Sequence, residues 1–307
     1  MKFQFRYFSQ KYIFFGLILT GVIILFAAIV FVTKHKSLPQ APLHSPMAKV
    51  VTHVLIPTPT FMPTPTASPS PSLVPTPVYT GYCMNVPVLM YHHTAPGSIA
   101  GARGQTSLNV DSGFVEQQMA YIATHGFTTY TASDLINALR THTTLPGKPI
   151  VITLDDGYDD VYTYAFPIFK KYNLKFNLMI PTGLLGNTSP GNSYYSWTQL
   201  KEMVGSGLGF VSNHTWSHST MGGNAQKDEF EIATSQKQFG DMIGITPLTF
   251  AYPYGAGIYP QVIALLQRHG FVGAFSTIPG KTQCDSFIMS LHRTRVGNAQ
   301  ITAYGIY

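Results

Sequence analysis

Acidic residues are absent from the first 81 positions of this 307-residue chain, and cysteine occurs only twice. All 13 Asp and Glu lie beyond residue 81, with 13 of the 19 Lys and Arg, so the net charge of +6 sits wholly on the N-terminal part. The rest of the chain is formally neutral. The basic balance therefore reports membrane insertion and gives no reason to expect a nucleic-acid partner. Cys83 and Cys284 allow at most one bridge. A disulfide between the two ends of the folded part and a pair of buried thiols both fit.

Charge is missing altogether from "IFFGLILTGVIILFAAIVFV", residues 13–32, where Thr20 is the single polar residue. At 1.5 Å per residue such a run crosses a hydrocarbon core of about 30 Å. No convincing small-residue cleavage site follows in "TKHKSLPQ", so residues 1–36 are expected to be a cytoplasmic tail and a retained signal-anchor transmembrane helix. Lys2, Arg6 and Lys11 before the span outnumber Lys34 and Lys36 after it, which favours an inside N-terminus. Residues 39–77 hold 11 of the 22 prolines. Proline lacks an N–H and fixes φ, so residues 37–81 are expected to form an extended Pro/Thr/Ser-rich linker, either glycosylated or bare. The expected location is the cell membrane, single-pass, with the remaining domain extracellular.

Residues 82–307 are enough for one domain with a sizeable core. Strand-like runs ("VPVLMY", "PIVITLD", "KFNLMIP", "LGFVSN", "LTFAYP", "FVGAFS") alternate with helical ones ("SGFVEQQMAYIATHG", "ASDLINALR", "SWTQLKEMVGSG", "YPQVIALLQRHG"). Ser133 reads as the cap of the second helix. Such alternation predicts a parallel sheet with right-handed crossovers, and a closed barrel carries its chemistry on the loops at the C-terminal strand ends. Polar residues do gather there. Asp155 and Asp156 follow "VITL", His214 follows "FVSN", Tyr254 follows "FAYP" and His92 follows "VLMY".

The segment "VITLDDGYDD" puts four aspartates into ten positions. Adjacent carboxylates at the end of an apolar strand repel one another unless a positive partner faces them. In "NHTWSH", His214 and His218 lie four apart, a spacing that lets two imidazoles grip one divalent ion on a helical turn or a loop closing like one. One aspartate would complete the ligand set, and its neighbour would take a proton from water activated by the metal. The positive partner is accordingly expected to be a metal ion. Alone, adjacent aspartates are usually a turn or cap, and an H-x-x-x-H pair is usually structural. Their joint placement on strand ends reverses that reading.

With these residues in view the chain resembles the polysaccharide deacetylases of the NodB-homology, chitooligosaccharide-deacetylase type, over about residues 84–296. "TLDDGYDD" is similar to the family's T-F-D-D-G motif, "HTWSH" to its histidine metal motif and "FAYPYG" to its R-x-P-Y-G motif. The resemblance implies a distorted (β/α) barrel, and a divalent ion, Zn²⁺ by preference, on Asp156, His214 and His218. It also implies Asp155 as general base and the Tyr254 backbone N–H as oxyanion donor. His93, Trp216, Pro253 and Tyr254 are expected against substrate. Two departures stand out: Ala251 occupies the place of the motif's arginine, and no Asp-Trp motif is evident in "GFVGAFSTIPG". For the general acid, His92 resembles the permuted branch that acts on poly-β-1,6-N-acetylglucosamine. The rival His292, beside Arg293, corresponds to the C-terminal Leu-x-His motif. A neighbouring guanidinium should disfavour the charged form of His292.

The function so implied is removal of N-acetyl groups from N-acetylglucosamine units of a surface polysaccharide. The alternatives are a peptidoglycan or chitin deacetylase, a xylan acetyl esterase, and a non-catalytic wall-binding module on the same scaffold.

Overall fold

The run that ends in the paired aspartates, Lys148–Asp155, is the longest strand of a computed structural model that describes residues 79–307. The expected anchor and nearly all of the tether lie outside the described residues. Among the described residues, no helix is long and apolar enough to cross a membrane. In chain order the sheet contains β1 (Val88–Tyr91), β2 (Phe127–Tyr130), β3 (Lys148–Asp155), β4 (Phe176–Ile180), β5 (Gly209–Asn213), β6 (Thr249–Ala251), β7 (Gly273–Pro279) and β8 (Leu291–Arg295). Among the described residues the α-helices are α1 (Gly97–Arg103), α2 (Ser112–Thr124), α3 (Ala132–Thr141), α4 (Phe166–Tyr172), α5 (Trp197–Gly205), α6 (Ala225–Ile243) and α7 (Pro260–Arg268).

The strands β1, β8, β7, β6, β5, β4 and β3 follow one another with parallel pairing, and β3 returns to β1 to close the ring. β2 pairs with the first half of β3, Lys148 to Val151, while β1 takes the second half, Val151 to Leu154. The result is the expected distorted (β/α) barrel, with seven strands in the closed ring. Its distortion is local: β5 and β6 meet at the single pair Asn213↔Phe250, and the β7–β8 register shifts between Phe275↔Leu291 and Pro279↔Arg293. The sequence reading lacks β2 and β8, "FTTY" and "LHRTR". Both are short and polar, so apolar patterning gives them no signal.

Strand pleating decides which side chains enter the barrel, because successive residues point to opposite faces. On β3, Ile150, Ile152 and Leu154 join the layer beneath the helices, while Val151 packs with Val88, Met179, Phe275 and Leu291 inside. The inner parity continues through Thr153 to Asp155. On β1, Leu89 and Tyr91 face the helices, so Val88, Met90 and then His92 share the inner side. On β8 the inner set is Leu291 and Arg293, which leaves His292 on the outer one.

Thr131 caps α3, in a capping box with Asp134, and not Ser133 as the sequence reading proposes. Thr131 still has extended backbone and accepts from the Asp134 N–H, whereas Ser133 is already the second residue of the helix. Of the two readings of the cysteines, the bridge holds. Cys83 and Cys284 are joined across the antiparallel pair Cys83–Asn85 and Thr282–Cys284, closing a loop of sequence separation 201. A crosslink of this kind typically contributes about 2–4 kcal/mol by restricting the unfolded chain.

Candidate metal centre

Asp156, His214 and His218 each offer one ligand atom, and these three atoms lie within 4.8 Å of one another. Asp156 comes from the turn after β3 and His214 from the end of β5. His218 comes from the loop between β5 and α6. That loop is no helical turn, since Thr215 and His218 have φ of 68° and 61°. Among the described residues, six non-glycine residues have positive φ; His142 and Asn173 are helix C-caps, and the other four, Asp156, Thr215, His218 and Tyr254, lie in and beside this cluster. Such backbone costs on the order of 1–3 kcal/mol per residue and persists where surroundings over-determine it.

The donor set fits a divalent cation. His214 Nδ1 lies 2.7 Å from the Ala251 carbonyl, which can only accept, so Nδ1 carries the proton and Nε2 presents its lone pair. Asp156 Oδ1 lies 3.3 Å from His214 Nε2 and 3.1 Å from His218 Nε2, yet it is buried without a hydrogen bond. Three such atoms converging without a hydrogen bond among them are what a cation would hold together. Burial opposes charge on Asp156, but the imidazoles of His214 and His218 hold its carboxyl well below the usual range. Glu231, from α6, fixes the intervening loop. It is buried, and it accepts from the Trp216 N–H (3.0 Å), the Ser217 N–H (2.7 Å) and the Ser217 hydroxyl (2.6 Å).

Asp155 has a different partner. Its Oδ1 accepts from Arg293 Nη1 at 2.7 Å, and the same guanidinium reaches Thr153 Oγ1 at 3.2 Å and the Ser276 carbonyl through Nε at 2.8 Å. Arg293 is 1% exposed. Burial would raise the Asp155 carboxyl, but Arg293, then His92 and His214, hold it below its ordinary value. The expectation that a metal faces both carboxylates is thus corrected for Asp155: its first positive partner is an arginine. The arginine missing at Ala251 on β6 has a counterpart on β8, reaching the same kind of carboxylate from another strand.

Arg293 also corrects the reason given for ranking the two histidines. The pleat turns its side chain away from His292, which stacks on Phe287 (centroids 4.6 Å apart) and whose pKa is lowered by burial. His92 is the imidazole that feels the guanidinium. Burial lowers its pKa, Asp155 and Asp156 oppose that, and Arg293 and Arg295 add to it.

The remaining candidates surround the cluster. Tyr254 is 70% exposed, and its ring packs on His218 (centroids 4.5 Å) next to the buried Pro253. Trp216 lies edge-on to the exposed Phe230. His93, of outer parity, is buried, with Nδ1 2.6 Å from Asp160 Oδ2 and its ring stacked on Tyr158. Burial and then the Asp156 carboxylate push the Tyr158 hydroxyl up, so it stays a neutral donor facing Asp156. The four aspartates of "VITLDDGYDD" are therefore all matched: Asp155 to Arg293, Asp156 to two imidazoles, Asp159 to Arg103 and Asp160 to His93. Sequence reasoning missed Arg293, Glu231, Tyr158 and Asp160. Only the tyrosine and aspartate sit close enough in sequence to the motif to have been suspected.

Residues 142–274 match the family model described as polysaccharide deacetylase. YxkH of Bacillus subtilis, named for the polysaccharide deacetylases, is 28% identical over 224 residues, covering 72% of this chain and 75% of its own. The poly-beta-1,6-N-acetyl-D-glucosamine N-deacetylase of Escherichia coli is 26% identical over 227 residues. That match takes in 60% of this chain but only 34% of the E. coli protein, so the chain aligns with about a third of that relative. Among solved structures, IcaB from Ammonifex degensii superposes with a TM-score of 0.62 at 27% identity, covering 72% of this chain and 94% of IcaB.

Proposed function

Since the chain belongs to the polysaccharide deacetylase family of hydrolases, we propose that its barrel removes N-acetyl groups from N-acetylglucosamine units of a cell-surface polysaccharide, of the β-1,6-linked kind. The observation that carries this reading is the convergence of Asp156, His214 and His218 beside a second, arginine-held carboxylate. The β-1,6 preference is supported by the E. coli relative's name and by the inward-facing histidine at the end of β1.

Asp156, His214 and His218 would hold a divalent ion, Zn²⁺ by its liking for such ligands. When bound, that ion supplies a Lewis acid that polarises the acetyl carbonyl and lowers the pKa of a water. Asp155 takes the proton of the attacking water, and Arg293 fixes which of its oxygens is free to do so. The Tyr254 backbone N–H donates to the developing oxyanion. His92 gives a proton to the leaving amine; its lowered pKa makes the charged ring a strong donor, at the cost of a smaller charged fraction.

The ligand assignment is tested by metal analysis of the purified full-length chain. His214→Ala is expected to fall well below one ion per chain, with acetate release from N-acetylglucosamine oligomers lost and the circular dichroism of the domain kept. Full metal occupancy in that variant would remove His214 from the ligand set.

The apolar segment 13–32 and the Pro-rich stretch after it support display of the domain outside the membrane. Protease added to intact cells is then expected to digest the domain. Its survival there, with digestion only after lysis, would reverse the orientation.

A further inference from the structure

β1 leaves the sheet ladder just before the histidine that faces the two carboxylates. Its last pairs are Met90↔Arg295 on one edge and Tyr91↔Leu154 on the other, and His92 is the next residue. From there the backbone finds its partners outside the barrel strands. The His93 carbonyl accepts from the Val110 N–H at 3.0 Å, and the Thr94 N–H donates to the side chain of Asp160 at 2.9 Å.

Asp160 belongs to the turn that carries Asp155 and Asp156, five residues after the first of them. It is 1% exposed and uses both oxygens. Oδ1 takes the Thr94 N–H and, at 3.3 Å, the Thr94 hydroxyl, while Oδ2 lies 2.6 Å from His93 Nδ1. Burying a carboxylate is unfavourable unless hydrogen bonds answer it, and the three here come from the two residues that follow His92. Tyr158, from the same turn, stacks on the other part of this contact, its ring centroid 3.6 Å from that of His93. The segment holding one titratable group of the site is thus pinned to the turn holding another.

The pin is not what keeps the segment folded. Asn109 bridges to His93 and exchanges two 2.9 Å hydrogen bonds with the Ala95 backbone, which anchors the chain on its far side. Without Asp160 the residues after β1 stay attached, but the spacing between His92 and Asp155 is no longer fixed. Reacting groups displaced by about 1 Å can cost about 10²-fold in rate.

Building on the deacetylase reading above, in which His92 gives the proton, we propose that Asp160 is the positioning residue of that proton donor. It acts through the backbone of Thr94, by holding the acid-bearing segment in register with the base-bearing turn. The role calls for an acceptor at that place and asks nothing of Asp160 at the reacting atoms.

The test is a double-mutant cycle in the full-length, metal-loaded protein, with acetate release from N-acetylglucosamine oligomers as the readout. Asp160→Ala is expected to lower kcat about 10²-fold, with KM and metal content little changed. In a His92→Ala background the same substitution is expected to cost no more than about threefold, because two residues acting as one unit are not additive. Asp160→Asn keeps an oxygen for the Thr94 N–H and is expected to recover about tenfold of the loss. Thermal unfolding of each variant accompanies the kinetics. Should Asp160→Ala fold poorly, Asp160→Ser, which leaves a polar group in the buried site, replaces it in the cycle with the same coupling expected. An unchanged kcat, a full loss in the His92→Ala background, or an asparagine no better than alanine would overturn the positioning role and leave the deacetylase reading intact. Failure of the unaltered protein on every oligomer would overturn that reading and the positioning role with it.

Discussion

Asp155→Asn is expected to lower acetate release about 10²–10⁴-fold, the usual contribution of a positioned base, with metal content unchanged. Asparagine keeps an oxygen that Arg293 Nη1 can bond as it now bonds Asp155 Oδ1. It loses the charge and the ability to accept a proton. The substitution is therefore chosen over alanine, which would leave the Arg293 guanidinium buried without an acceptor in the barrel. Breaking a buried pair in that way costs about 3–5 kcal/mol and would confuse catalysis with folding. Metal analysis and thermal unfolding of the same preparation check that the site and fold survive. Unchanged turnover would move the base elsewhere and leave Asp155 as the structural partner of Arg293.

His92→Ala should lose most activity with metal binding kept, and His292→Ala much less. The reason lies in pleat and parity. His92 follows Val88 and Met90 on the inner side of β1 and lies within the field of both aspartates. The His292 side chain points the other way from Arg293, against Phe287, while its backbone N–H donates to Gln283 Oε1 at 3.0 Å. The ranking does not depend on a guanidinium suppressing His292, because that guanidinium serves Asp155. Side-by-side kcat and KM on one oligomer, with metal content measured for each variant, decide the matter. The reverse order would make the N-terminal histidine structural and remove the argument for the β-1,6 substrate that rests on its position.

Much of the barrel was legible because it is written in local patterns. Apolar runs mark β1, β3, β4, β5 and β6, and those of β1, β3, β5 and β6 deliver polar groups to the same end of the barrel. The histidine pair and the adjacent aspartates signal a cation site through spacing alone, and the three ligand atoms do converge. The missed strands, β2 and β8, carry no apolar run; their positions depend on pairing with β3 and β7. The cap of α3 went astray by two residues because Thr131 and Ser133 have the same chemistry, and only backbone dihedral angles distinguish a cap from a first turn.

The sequence by itself determined the class of chemistry: which residue types could hold a cation, and which carboxylate adjoins it. It could not decide what answers the charge of Asp155. Arg293 stands 138 residues away and reaches the carboxylate because β1 lies between β8 and β3 in the closed ring, so that a side chain can cross the barrel interior. Closure of a sheet is a property of all its strands together, and no local stretch encodes it. The same closure turns Arg293 inward and His292 outward, so that two adjacent residues of one motif serve opposite faces.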